Sequence, residues 1–523
     1  DPGVSVTDAD LAAAAEGAAQ VEARNAAARK DALELAAAHG FGPQEAEAFA
    51  RAVTRKVPGQ GPAAGDAAAA AGTGEEEDDE DGDEREDVVV DIPGLGHKRI
   101  SIRTSAIEEK AAACQQLSTY ASELKAHFFP YVQETASVLG PLVSFAYSEE
   151  VRVHAAAGLP VLAEVSELAC QVGAPGASGE VTRGAVQYAA TQILEQVKEE
   201  PDIQTLCSLL ESLSALVELS GRYPAAEALR LPDPVLDGAT EAIRAVLAES
   251  FERRREAAEE EEGNPGPGEE EGEEPGEVDD EEASLLATCV ECVGQLLKAY
   301  GSPYLPRVQA QLVPFFQPLL DARAPATDRT SAVCLLDDII EHCGDQGASA
   351  PFLEPALSVL ASCAQSPDSA LRQAAVYGLG AAAEHGGAAL TPERAREAVA
   401  VLQAVVAAPG SREGDSETAT DNAVSALGKF LLHRPEAAPA EQVVPAWLAY
   451  LPVEGDRLEA CAVHEQLCAL AEGRSADLLG SGGQRLPEVA RALAAVVARE
   501  GLSTAETRAR AARLLAAMAR EAQ

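Results

Sequence analysis

Three carboxylates, Asp337, Asp338 and Glu341, crowd the run TDRTSAVCLLDDIIEHCG from Thr327 to Gly344. On a helix, residues three and four apart are neighbours, so Glu341 shares a face with both aspartates. Such a group could hold a Lys or Arg side chain of a partner through charge-assisted hydrogen bonds. The same acids could instead pair with an arginine of the next repeat, such as Arg372. Trp447, the only Trp, lies in the apolar string VVPAWLAYLP. An indole can clamp the aliphatic stem of a Lys or Arg, or it can fill a core.

The other reactive residue types lead nowhere catalytic. Cys289 and Cys292 form a C-x-x-C inside the apolar run LLATCVECVGQLL, with no second pair or His cluster nearby, so no zinc site is expected. His342 with Cys343, and His385, stand just before glycines, a pattern of helix C-termini. The chain holds no G-x-x-x-x-G-K-[ST] phosphate cradle, no G-x-S-x-G elbow and no H-E-x-x-H. No catalytic residue, cofactor or metal ligand is expected.

The elements carrying these residues are helices in a repeating order. One submotif recurs: a charged or polar residue, small residues after it, and an apolar residue seven positions on. It appears at Lys110, Arg152, Arg329, Arg372, Thr420 and Arg508, with weaker copies near Leu206, Leu286 and Arg457. Successive strong copies lie 42, 43 and 48 residues apart, the period of HEAT-type helix pairs. A helix pair cannot bury its apolar face alone, so neighbours must stack into a continuous core. The expected fold is all-α: a HEAT-repeat, right-handed superhelical solenoid of nine or ten repeats. The submotif marks the second helix of each pair, with its Arg expected to reach an acid of a neighbouring repeat.

Composition agrees with a large helical array. The 523 residues are 46% hydrophobic, rich in Ala and Leu, and only 4% aromatic. The formal charge is −46, from 86 acidic and 40 basic residues. A surface this negative disfavours nucleic acid and anionic lipid and attracts basic partners. The ten cysteines do not have disulfide-scaffold spacing, which points to a reducing compartment. No uncharged apolar run has the length of a membrane span. The chain opens on Asp1 rather than Met, and an upstream start is expected.

Two acidic runs supply about half of the net charge. Glu75 to Asp87 holds eleven acids against one Arg, and Glu259 to Glu282 holds fourteen acids and no base. Both are expected to be disordered. Between Val88 and Ile102, two β-branched runs flank Pro93-Gly94-Leu95-Gly96, which suggests one short β-hairpin. The organisation is therefore an Ala-rich helical segment over 1–58 and a Gly/Ala linker with an acidic run over 59–87. Repeats follow over 88–258, an acidic disordered insertion over 259–282, and repeats over 283–523.

Five strings carry a resemblance. They are IRTSAIEEKAAACQQLSTYASELK from Ile102, TDRTSAVCLLDDIIEHCG from Thr327, SALRQAAVYGLGAAAEHGG from Ser369, TDNAVSALGKFLLHRP from Thr420 and VVPAWLAYLP from Val443. In this order they resemble the C-terminal part of importin-beta-family nuclear transport receptors of the importin-five (karyopherin beta-three) type, from about Val88 to Gln523. Asp1 to Gly74 matches nothing in that family. The resemblance implies a receptor of cytoplasm and nucleus that carries basic cargo, such as ribosomal proteins and histones, past nucleoporins. It implies release by Ran-GTP, whose main contacts fall in an N-terminal arch outside this stretch. On it, Asp337, Asp338, Glu341 and Trp447 would be cargo-binding residues on a concave acidic surface. A HEAT scaffold or regulatory subunit of another multiprotein complex is the competing expectation.

Overall fold

In the computed structural model, residues 85–92, 96–263, 277–344 and 347–521 are described, and all fall in the unit Asp83–Gln523. The Ala-rich segment over 1–58, most of the linker and acidic run over 59–87, and the centre of the acidic insertion lie outside the described residues.

The hairpin is present. β1 (Arg85–Ile92) pairs antiparallel with β2 (Gly96–Arg103), Ile92 facing Gly96 and Arg85 facing Arg103. β1 begins inside the stretch expected to be disordered, because Arg85–Asp87 find ladder partners in Ser101–Arg103.

Helix pairs follow. α1 (Thr104–Leu124) precedes α2 (Val132–Leu142), α3 (Glu149–Gln171) precedes α4 (Gly179–Val197), and α5 (Ile203–Arg222) precedes α6 (Asp233–Gly263). Next come α7 (Glu277–Tyr300) with the short α8 (Leu305–Gln311) and α9 (Val313–Phe316), then α10 (Ala326–His342) with α11 (Ala350–Cys363). α12 (Ser369–His385) precedes α13 (Pro392–Ala407), and α14 (Ser416–His433) precedes α15 (Ala440–Ala449). α16 (Arg457–Gly473) leads through α17 (Ser475–Leu479) to α18 (Leu486–Ala498), and α19 (Ala505–Glu521) closes the series.

The first helices of these pairs pack on one another in sequence, α1 on α3, α3 on α5, and so on through α7, α10, α12, α14 and α16 to α19. They form a ladder of nine among the described residues. The intervening helices form a second layer, with α2 on α4, α4 on α6, α6 on α8, and α11 on α13. This is the stacked solenoid that the sequence period requires. Each of the nine submotif copies falls on one ladder helix, the first of its pair as paired here and not the expected second, so the repeats number nine among the described residues, the last consisting of α19 alone.

Local chemistry explains the boundaries. Ser148, Ser178, Asp202, Asp368, Thr391 and Asp456 each accept a hydrogen bond from a backbone N–H of the helix they precede. Caps of this kind are worth about 1 kcal/mol each. The alanines after the submotif's first residue let the helices close up: Ala155, Ala156, Ala332 and Ala375 are all buried. Seven positions on, Leu159, Leu213, Val293, Leu379 and Leu427 fill the core between layers.

Two further expectations are corrected. The acidic insertion is shorter than 259–282, since α6 runs on to Gly263 and α7 already begins at Glu277. Glu282 is buried against Arg253 (Oε1 to Nε 2.5 Å) and accepts from the Ser250 hydroxyl at 2.6 Å, so a tertiary partner orders it. The submotif arginine generally does not reach an acid of another repeat. Arg152 does reach an acid, donating twice at 2.8 Å to Glu200 in the connection between α4 and α5. Arg372 instead donates to the Ser366 and Pro367 carbonyls and to Ser416 Oγ, and Arg508 to the Ser503 carbonyl. These guanidinium groups close turns between helices, satisfying carbonyls of the connecting segments. Though it holds no uncharged run of span length, α3 is by length and composition apolar enough to cross a membrane, with a mean hydropathy of 1.2 over its best window. It is packed between α1 and α5 in the ladder, and 61% of that window is buried.

Candidate partner-binding face

Each ladder helix uses two sides on its ladder neighbours and one on the second layer. The remaining side carries acids: Glu164 on α3, Glu211 on α5, Glu291 on α7, Glu341 on α10, Glu384 on α12 and Glu465 on α16, each exposed or half-buried. Ties between successive helices link some of these positions along the stripe. Arg222 on α5 reaches Glu164 at 3.0 Å, Lys429 on α14 reaches Glu384 at 3.4 Å, and Arg510 on α19 reaches Glu465 at 3.4 Å.

The stripe is most elaborate from α10 to α14. The Tyr377 hydroxyl donates to Glu341 Oε2 at 2.5 Å, and Lys429 Nζ lies 5.3 Å from the Tyr377 ring centroid. Burial first, and then the bond to Glu341, holds the Tyr377 phenol far above its ordinary range. His385 and His433 both approach Glu384, at 3.8 and 4.0 Å, and His342 approaches Asp338 at 3.8 Å. Burial pushes the His342 imidazole down, Glu341 opposing and Lys298 and His385 adding to it. His342 and His385 end α10 and α12, as their place before glycine suggested.

The three expected carboxylates separate. Glu341 is on the stripe. Asp338 is half-buried and turns toward α7, where a Cβ on Gly294 would collide with its Oδ2. Burial, with Glu341 adding and Lys298 opposing, raises its carboxyl to about 7. Asp337 is 4% exposed and turns toward α12, where a Cβ on Gly378 would collide with its Oδ1. That oxygen has no hydrogen-bond partner. Burial, then Asp338 and Glu341, push its carboxyl well above the carboxylate range. Asp337 therefore does not face a partner, which corrects its expected role. The alternative pairing with Arg372 is also absent, that guanidinium being committed to its own turn.

Trp447 is likewise withdrawn from any surface. It is fully buried on α15, and its Nε1–H donates to the Val424 carbonyl at 2.9 Å. It fills core and leaves no ring face for a cationic stem. Cys289 and Cys292 are buried in α7, and burial raises both thiols, that of Cys292 to about 11. No group of three or more metal-ligating side chains occurs among the described residues.

Sequence reasoning missed the Tyr377–Glu384–Lys429 node. Its signal was present: Glu341-His342 and Glu384-His385 recur at the 43-residue step, so both pairs occupy equivalent places in adjacent repeats.

A scan against family models matches none. A probable importin-5 homolog of Dictyostelium discoideum is 29% identical over 383 residues, covering 71% of this chain and 34% of that protein. The importin subunit beta-3 of Saccharomyces cerevisiae is 25% identical over 393 residues, covering 74% of this chain and 33% of its own length. The match is to the importin-beta family, in its C-terminal part. The chain spans about a third of the length of these importins. Solved structures agree on the fold. A Kap121p mutant aligns with a TM-score of 0.60 at 22% identity, covering 83% of this chain and 38% of that one. Kap121p bound to RanGTP aligns at 0.60 and 20% identity, with the same coverage, and Kap121p bound to Nup53p at 0.58 and 20%, covering 84% and 38%.

Proposed function

We propose that this chain is the C-terminal part of a nuclear import receptor and that its acidic ladder stripe binds basic protein cargo. The observation carrying this reading is the stripe itself, set on a solenoid matching importins over more than two thirds of the chain. Structures of Kap121p with Pho4p, Nup53p and RanGTP support cargo, nucleoporin and Ran-GTP as partner classes. The receptor shuttles between cytoplasm and nucleus, and its work is binding and release, without catalysis. Glu341 is the cargo contact retained from the three expected carboxylates, with Glu384 added.

The test is fluorescence anisotropy with a Lys-rich import peptide, at low and physiological salt, with and without GTP-loaded Ran. Opposite charges meeting on an exposed stripe should give binding that weakens steeply with salt. Salt-insensitive binding, or none, would move the chain to the scaffold reading. Ran-GTP tests the whole receptor and needs a chain with the full length of the relatives.

A further inference from the structure

The stripe takes a glutamate from α3, α5, α7, α10, α12 and α16, and α14 sets Lys429 among them instead. The Lys429 ammonium lies 3.4 Å from Glu384 Oε2 and 5.3 Å from the centroid of the Tyr377 ring. Its stem runs past Gly380, where a Cβ would stand 3.0 Å from Ala426 and 3.5 Å from the Lys429 Cδ. The Tyr377 ring is fixed by its hydroxyl, which donates to Glu341 Oε2 at 2.5 Å. Glu459, in the first turn of α16, is a second acid at the same place. Burial raises its carboxyl, Ser425 and Lys429 opposing, and its charge acts on Tyr377 as well.

An aromatic face, two carboxylates and a slot for an aliphatic stem are the groups that recognise a lysine side chain. Lys429 sits among them without a firm grip. Its side chain is only 19% exposed, yet its contact to Glu384 is longer than an ordinary N–H···O bond of about 2.9 Å. The other cations tying the stripe are arginines that do donate: Arg222 to Glu164 at 3.0 Å and Arg510 to Glu472 at 2.9 Å. Nor is the pair needed to join its helices. α12 packs on α14 through one apolar cluster that includes Val376, Leu379, Ala423 and Leu427.

We propose that Tyr377, Glu384 and Glu459 form a lysine side-chain site on the stripe, which Lys429 fills in the free chain as a tethered competitor and a partner's lysine takes over on binding. This rests on the reading of the stripe as the face for basic cargo. It adds the side-chain class that this part of the stripe takes and a self-masking that sets its affinity. While Lys429 occupies the site, apparent affinity is the intrinsic affinity scaled by the fraction of chains in which the site is free. A site free in about a tenth of the chains weakens binding about tenfold.

Fluorescence anisotropy of a Lys-rich peptide with the full chain at low salt tests it. Lys429→Ala empties the site and should tighten binding about tenfold. Lys298→Ala removes an equal charge from an exposed position on α7 and should tighten it less than about twofold. Lys429→Arg keeps the charge but puts a guanidinium fork against Glu384, a better competitor, and should weaken binding about threefold. Lys429→Ala no tighter than Lys298→Ala, or Lys429→Arg no weaker than wild type, overturns the competitor, while peptide binding by the wild type leaves the stripe standing. No binding by wild type and Lys429→Ala alike overturns both.

Discussion

The same fold treats two buried acids in opposite ways. At the α3–α5 step, Glu200 has no exposed side-chain surface and is gripped by Arg152 through two bonds of 2.8 Å, with Gln196 donating at 2.8 Å. At the α10–α12 step, Asp337 is almost as deeply buried and receives no such grip on Oδ1. A paired buried charge is costly to break, whereas an unpaired one neutralises itself by taking a proton. One solenoid can thus hold a rigid joint and a titrating joint with the same helix geometry, the choice being made by whether a guanidinium reaches the carboxylate.

The sharpest way to break this contrast is to remove the grip. Arg152→Ala leaves Glu200 buried without its cation and should cost about 3–5 kcal/mol in a urea unfolding curve. A loss below about 1 kcal/mol would mean that the joint is not held by the pair. Trp447→Phe, in the second core, should cost about 2 kcal/mol, through a smaller ring and a Val424 carbonyl that loses its donor. It should leave affinity for a Lys-rich peptide unchanged, and weaker peptide binding at equal folding would return Trp447 to the partner-binding face.

Asp338 sharpens the contrast in pH. Its folded affinity for a proton is raised, to about 7 against the ordinary carboxylate value near 4. The stability it contributes is fully present below the unfolded value and is lost as pH rises through the folded one. Wild-type stability should therefore decline between pH 4 and 7 by up to about 1.4 kcal/mol per pH unit for this proton. Asp338→Asn should flatten that decline, with the variant gaining on the wild type toward pH 7. Glu200→Gln should show no such gain, because its partner is a permanent cation. Parallel curves for Asp338→Asn and the wild type would show that Lys298 already offsets the burial.

The ladder was legible because its signal repeats. Nine copies of one submotif, the strong ones at steps of 42, 43 and 48 residues, map to nine packed helices, and Ser148, Asp202, Asp368 and Asp456 mark the starts of four of them. The site was only partly legible, for a physical reason. A helix period places Asp337, Asp338 and Glu341 near one another but does not say which neighbour each meets. Asp338 and Asp337 go to glycine notches on opposite sides, at Gly294 and Gly378, and only Glu341 remains on the stripe. Glu282 failed the other way: local composition put it in a solvated run, while Arg253, far back along α6, buries it. Position along a repeat is local information, but the partner of a charge is tertiary.

The smallest effects test whether the stripe acts as one field across both kinds of joint. Glu211 and Glu291 lie before the α10–α12 seam, and Glu384 and Glu465 beyond it, all exposed. Exposed charges interact weakly and are screened, so a single Glu→Lys reversal should weaken binding of a Lys-rich peptide by only about threefold at low salt. If the stripe is continuous, reversals on either side of the seam have similar effects and the two sides combine. Loss confined to one side would restrict the contact to that half of the ladder. No loss on either side would remove the stripe as the binding face and leave the acids as a solubilising surface.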